Sequence, residues 1–560
     1  MSSAPPTPAV PPARRLPVAG ALRLGRPSDI WFKPALSVVV AVAPPSLLLV
    51  ALGRLDLAMY TMAGSLCALY AHNRPYAARA RTLAGVVLGM LGGLAVALTA
   101  AALTGNAVVL VTVGAVLAAV QKALCDATRI GPPAHVILTF VSSASLFAPQ
   151  TLGQVPGHLA LAAAAGAWAW LVGMAPAPVR PHGPERRATA HALNAAAAYA
   201  GTAGAGAGHP GARAAAYAAV QAAWQSLPAA GNRPSPTRRA LERLLVRAEV
   251  ALAAPADVDP ARLRAWARAL RGTGRVPHTG DPRTDADELL GAAAERATAP
   301  RPLWSRLGPL TPIAVRTGLG CALAGYASLA LGIGRPYWAL VTAASLYQAN
   351  VTLTWSRTVQ RVVGNLVGVL IFAAVAPLAH LGPLALVLCC LAFNFGAEAL
   401  IGRNYWLGSV CVTPLALLVT EFPGHQPTGD LVAERVADTL VGALVGFAAA
   451  VAVTNRRAGD RVERALTAVD RAREAAARLL ADPQAAPAAL GAARRALADA
   501  VVDLRATADA AAGEWRQRAL PQERVVLAEQ AAHRTLAATV RRQGLLPDPG
   551  TSTHTEDVRP

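Results

Sequence analysis

Two stretches, RTVQRVVGNLVGVL from Arg357 to Leu370 and RVADTLVGALVGF from Arg435 to Phe447, each place an arginine seven residues ahead of a Gly-x-x-x-Gly pair. A helix turns about 100° per residue, so offsets of seven and eleven bring the arginine to within about 20° of both glycines on one stripe. Gly364 and Gly368, like Gly442 and Gly446, are expected helix-packing positions, because without a Cβ they let a second backbone approach closely. Arg357 and Arg435 then head faces that look toward protein rather than lipid. A guanidinium at the N-terminal end of a helix adds to a dipole that already favours negative charge, and the chemistry this suits is the binding of a small organic or inorganic anion. The two motifs open segments expected to run in opposite directions, so one basic site is expected near each mouth of the membrane. Plainer readings stand beside this one. Arg357 and Arg361 fit positive-inside anchors that snorkel to headgroups, and Arg435 fits a local salt bridge to Asp438 or simple solvation.

Other polar side chains in apolar surroundings extend the candidate substrate-binding set. Trp338, Gln348 and Asn350, in YWALVTAASLYQANVTL, fit contacts to a flat ligand with polar edges; interfacial aromatics and ordinary interhelical hydrogen bonds account for them as well. Asn365, where the twin motif has Ala443, must find a partner in the bundle or in water. Glu398, in NFGAEALIG, is the plainest ionisable group inside an apolar run and the candidate for proton coupling, with a structural pair to Arg403 as the alternative. Pro414 frees backbone groups in YWLGSVCVTPLALL and offers a break in that segment. All six cysteines (Cys67, Cys125, Cys321, Cys389, Cys390, Cys411) lie in or beside apolar runs without ligand spacing, so they are expected to pack, and neither disulfide nor metal site is expected. The eleven histidines are scattered and the apolar runs hold no carboxylate pair, so no catalytic site is expected. No cofactor is expected either, and the sequence has no Gly-x-x-x-x-Gly-Lys-Ser/Thr loop to use ATP.

The elements that must position these groups follow from composition. With 54% hydrophobic and 15% charged residues over 560 positions, the chain is too apolar for an ordinary soluble enzyme and reads as an all-α polytopic membrane protein in contact with the lipid bilayer. Candidate spans are 34–53, 57–72, 82–103, 106–125, 134–149 and 156–175, then 311–331, 337–353, 362–379, 383–401, 405–421 and 432–454. The second span of each set is short, as in broken or re-entrant segments near a translocation site. The net charge of +20 would suit nucleic acid, but the arginines flank apolar runs: HNRPYAARAR, RPHGPERR and NRRAGDR fall on one side, TGN and AHLGP on the other. Nucleic acid is excluded on that ground, and both termini are expected in the cytoplasm. The expected order is a disordered basic tail (1–30), a first six-helix transmembrane block (31–178), a helical cytoplasmic domain (179–306), a second six-helix block (307–455), a second helical cytoplasmic domain (456–545) and a disordered tail (546–560). This is an internal repeat, with a three-helix inverted repeat inside the second block.

The six-span blocks with their helical domains, together with YWALVTAASLYQANVTLTWSRTVQRVVGNLVGVL, NYWLGSVCVTPLALLVTEF and RVADTLVGALVGF, resemble the fusaric acid resistance (FUSC) family. Its relatives include bacterial aromatic carboxylic acid exporters and, more distantly, plant aluminium-activated malate transporters. The resemblance implies an inner-membrane protein that moves organic anions outward, aromatic acids above all. It places the family's patterned residues on Trp338, Arg357, Arg361, Gly364, Gly368, Asn404, Tyr405, Pro414, Arg435, Gly442 and Gly446. The first block departs from the pattern, with Arg79 and Arg81 ahead of Gly85 and Gly89 at a different spacing and no arginine in its sixth span. In the malate-transporter relatives two six-span units pair, so this chain looks like two such units fused, a pseudo-dimer within one chain. The expected function is efflux of small organic anions by secondary transport or a channel-like path; the alternative is a non-transporting scaffold that docks partners on its helical domains.

Overall fold

The structure, a computed structural model, describes residues 18–25, 30–203, 210–229, 235–253, 255, 258–272, 274–278, 307, 310–348, 350–453, 458–512 and 521–543. All regular structure among them is helical. The first apolar set comprises α1 (Phe32–Ala51), α2 (Ala58–Ser65, with 3-10 turns on either side), α3 (Tyr76–Leu103), α4 (Ala107–Thr128), α5 (Val136–Leu146) and α6 (Val155–Met174). Four more polar helices follow: α7 (Gly183–Ala203), α8 (Pro210–Ala229), α9 (Pro236–Ala253) and α10 (Pro260–Arg271). The second apolar set is α11 (Thr311–Ala330), α12 (Pro336–Leu346), α13 (Val351–Ala379), α14 (Pro383–Ile401), α15 (Tyr405–Val419) and α16 (Thr428–Ala452). Helices α17 (Ala458–Ala481), α18 (Pro487–Ala512) and α19 (Gln522–Arg542) complete the described chain.

Among the described residues eight helices are long and apolar enough to cross a membrane, namely α1, α3, α4, α6, α11, α13, α14 and α16. The remaining apolar segments are short and hold the second and fifth places in each set. Eleven residues of helix rise about 16 Å, roughly half the hydrocarbon thickness. Such a segment survives in a bilayer only where protein surrounds it. Every residue of α12 is buried, and carbonyls at its C-terminal end are met by side chains: Arg316 donates to the Gln348 carbonyl at 2.7 Å and the His135 ring meets the Ala344 carbonyl at 3.1 Å.

Two helix boundaries differ from expectation in a way that matters for the site. The span expected at 337–353 ends at Leu346, and the next begins at Val351 instead of 362, because the Asn350 side chain accepts from the Leu353 amide at 2.8 Å and caps a helix there. Arg357 and Arg361 consequently sit in the second and third turns of α13, and Arg435 in the second to third turn of α16, not at helix mouths. Pro414 breaks nothing, since α15 runs through it. The tail expected to be disordered over 1–30 is in part ordered: Val18–Ala21 is helical, Asn404 donates to the Ala21 and Arg23 carbonyls, and Trp406 donates to that of Leu22. The rest of that tail, and the one at 546–560, lie largely or wholly outside the described residues.

Contacts between the sets are reciprocal. Helix α1 packs on α14 and α4 packs on α11, so the first and fourth helices of each set exchange partners across the interface. One apolar core runs through both sets, from Val38 to Leu431. A separate core joins α7–α10 to α17–α19, from Ala190 to Val540. The two helical segments expected as separate domains therefore share one interior, reinforced by Arg494 and Glu249 at 2.6 Å.

Candidate functional site

The glycines of the opening motifs fix the geometry of the second set. A Cβ on Gly364 would stand 2.5 Å from Ser409 Cβ and 2.6 Å from the Trp406 carbonyl, and one on Gly368 would meet Thr413 and the Val410 carbonyl. The matched advance, 364 to 368 against 406 to 413, makes α13 and α15 parallel neighbours in close contact. Gly442 lies against Ala339 and Thr342, and Gly446 against Ala343, so α16 and α12 are parallel as well. Between α13 and α16 the order reverses: Trp355 meets Phe447 at 5.2 Å, while Asn365 donates to Thr439 at 2.9 Å. The two arginine-bearing helices are antiparallel, with Asn365 at their crossing, where it also accepts from Thr413 at 2.7 Å. Asn365 has thus found its partners inside the bundle.

A cavity of about 2600 Å³ opens between the two apolar sets and the α7–α10 helices. Fourteen Lys or Arg residues line it, against Asp126 and Glu398 as its acidic residues. Burial and the charge of Arg186 push the His182 imidazole, on the α7 side, below its ordinary value, so arginine and lysine supply the positive potential near neutral pH. Where the cavity meets the second apolar set it is bounded by Gln348, Arg357, Arg361, Tyr405 and Ser409. The Arg357 guanidinium lies 3.9 Å over the Tyr405 ring, and Arg361 donates to the Tyr405 hydroxyl at 3.3 Å. Arg361 is buried and its Nε has no hydrogen-bond partner among the described residues. The α15 N-terminus opens on the same place, capped by Asn404, whose side chain accepts from the Trp406 amide at 3.3 Å. The α15 N-terminus, two guanidiniums and a phenol make a pocket wall suited to carboxylate.

The structure brings some expected site residues together and separates others. Arg357, Arg361, Gln348 and Glu398 line the cavity. Glu398 has no ion pair with Arg403 or any other described residue, so the structural pairing is not formed. Trp338, Asn350 and Asn365 do not line the cavity. Asn350 is occupied as a helix cap. Arg435 is 1% exposed, lies 3.9 Å over the Trp338 ring, and forms no ion pair with Asp438, which accepts instead from Ser328 at 2.6 Å. It is sealed inside the bundle and does not line the cavity.

Sequence reasoning gave the first apolar set no clear share in the site, yet His72, Arg74, Lys122 and His135 line the same cavity. On α3 of that set Arg79 is buried, 3.1 Å from the His72 ring, and the glycine in contact is Gly93, against Gln121 and Ser142. Gly85 and Gly89 face open space. The cavity contributions of Arg180, Arg186 and Arg187 were also missed; their only sequence signal was the basic string RPHGPERR, read for orientation alone.

The arginine pair, the two glycine seams and the short α12 and α15 all fall within one portion of the chain, and that portion is the one that comparison singles out. Residues 322–449 match the fusaric acid resistance protein-like family. The expected resemblance to the FUSC family is thereby shown over the second apolar set. The chain is also 30% identical over 141 residues to the uncharacterized membrane protein YvaC of Bacillus subtilis, an alignment that takes in 25% of this chain and 22% of YvaC. The chain thus spans about a fifth of the length of that relative. No solved structure matches. The eight long apolar helices and the FUSC match together make this a multi-pass membrane protein, consistent with a transporter.

Proposed function

We propose that this chain conducts small organic anions, aromatic carboxylates above all, through the second apolar set, loading them from the basic cavity and releasing them outward. The observation that carries this reading is the buried Arg361, with Arg357 beside it, at the inner wall of the cavity with an unpaired guanidinium donor. Buried donors without partners are costly, and an incoming carboxylate relieves that cost while exchanging its own hydration for charge-assisted hydrogen bonds. The cavity is larger than a pocket fitted to one small ligand, so it acts as a vestibule that concentrates anions ahead of the arginine pair. The twelve apolar segments lie in the bilayer as six plus six, the eight long ones crossing it and the short ones held within the protein, and the cavity, the shared helical body and both termini face the cytoplasm, as the excess of arginine on that side supports. Glu398 in the same wall carries a coupling proton.

The test is flux of a panel of aromatic and aliphatic carboxylates from proteoliposomes, comparing wild type with Arg357→Ala and Arg361→Ala. A drop of tenfold or more is expected for each, with Glu398→Gln losing the dependence on a pH gradient. Undiminished flux in both arginine variants would sink the proposal.

A further inference from the structure

His380 follows the last residue of α13, and Glu421 and His425 lie just beyond the end of α15. Nineteen residues, about 28 Å of helix, separate Arg361 from His380, so this cluster belongs to the end of the helix set remote from the basic cavity. No metal site is expected from ligand spacing, because some forty residues of chain lie between His380 and the other two. The parallel packing of α13 and α15 brings their C-terminal ends together, and the turn closed by the Gly424 amide on the Glu421 carbonyl at 3.1 Å folds His425 back over them. One donor atom from each of the three side chains lies within 4.8 Å of the other two.

We infer that His380, Glu421 and His425 form a binding site for a divalent transition metal of the zinc type. Two imidazoles and one carboxylate suit such an ion, and they leave a fourth position open to water. In a tetrahedral zinc site with bonds near 2.0–2.1 Å, neighbouring donor atoms stand about 3.3 Å apart. His380 Nε2 is already 3.1 and 3.2 Å from the two Glu421 oxygens. The remaining adjustment falls on His425, which is exposed in a short turn, with its ring 4.6 Å from that of His380. The His380–Glu421 pair by itself accounts for two of these groups. It does not account for a second imidazole converging on the same point. The Glu421 side chain is fully enclosed while His380 is 30% exposed, so the acid is held in place and the ion has a path from solvent. A bound ion would fasten the turn before α16 to the end of α13.

Titration calorimetry of the purified full chain in detergent with zinc chloride, alongside magnesium chloride, tests this. The expected result is one saturable zinc site per chain, at least tenfold weaker in His425→Ala and absent in His380→Ala/His425→Ala, with no comparable magnesium binding. Zinc is also expected to raise the melting temperature of wild type but not of His425→Ala. His425 is exposed, so that variant keeps its fold, and its metal-free melting temperature serves as the control. Equal zinc affinity in His425→Ala and wild type, or no saturable site in wild type, overturns the inference.

Discussion

Trp338, one of the expected binding residues, is taken up by packing and does not line the cavity. Its indole carries the Arg435 guanidinium at 3.9 Å and is itself 1% exposed, packed against Tyr337 and Phe140. A desolvated cation over an indole face is worth about 2 kcal/mol, and emptying a buried tryptophan site costs about 3–5 kcal/mol. Trp338→Ala is therefore expected to lower the melting temperature sharply, while Trp338→Phe, which keeps an aromatic face, recovers most of it. Asn350 makes the opposite case. It caps α13 and stays away from the cavity, so Asn350→Ala should cost about 1 kcal/mol of stability, Asn350→Asp much less, and neither should change the concentration of anion at half-maximal flux. A tenfold change in that concentration would return Asn350 to the binding set.

At the level of helices, the packing glycines separate into those that touch a neighbour and those that do not. Adding a methyl group at Gly364 forces α13 from α15, because the new Cβ would overlap Ser409 and the Trp406 carbonyl. Overpacking of this kind costs about 1–3 kcal/mol, and here it also displaces the Tyr405 wall of the cavity. Gly85 in α3 has nothing within reach, so Gly85→Ala should be neutral or stabilise by up to about 1 kcal/mol through helix propensity. Thermal melts of the two variants in the same detergent check the contrast; equal losses would mean that the α13–α15 seam is looser than described. The same logic explains why α12 and α15 are short. With α12 wholly buried and α15 more than half buried among longer helices, neither needs to match the bilayer thickness.

Across the whole molecule, the helical body couples distant parts of the chain. His533 on α19 lies 4.7 Å from the Tyr217 ring on α8, and burial, aided by the charge of Arg213, pushes its imidazole down to about 4. Its ordinary value is near 6.5, so between these limits the unfolded chain binds a proton that the folded chain does not. Stability should fall as pH drops from about 6.5 to about 4, by at most about 3 kcal/mol, and level off below. Melting curves of wild type and His533→Gln across that range test this, the variant showing the shallower slope. The basic cavity makes a second prediction at this scale. Its charge draws anions over distances comparable to the screening length, so raising salt from about 0.05 to 0.5 M with an inert electrolyte should lower initial flux severalfold, more at low substrate than at saturation.

Several properties were legible in the chain itself because they are local. Apolar runs, the short second segment in each set and the arginine–glycine stripe depend on composition and a 3.6-residue period, which neighbours along the chain define. RVADTLVGALVGF announces its packing glycines in this way, and Gly442 and Gly446 do meet α12. What depends on which helices become neighbours was not legible. Arg435 has the same motif as Arg357, yet one is sealed against Trp338 and the other lines a cavity, because α16 backs onto α12 whereas α13 opens toward α7–α10. The single core joining residues on both sides of the second set and the convergence of His380, Glu421 and His425 likewise arise from contacts tens to hundreds of residues apart. A linear pattern records which face of a helix is polar; only packing decides whether that face meets water, another helix or a partner side chain.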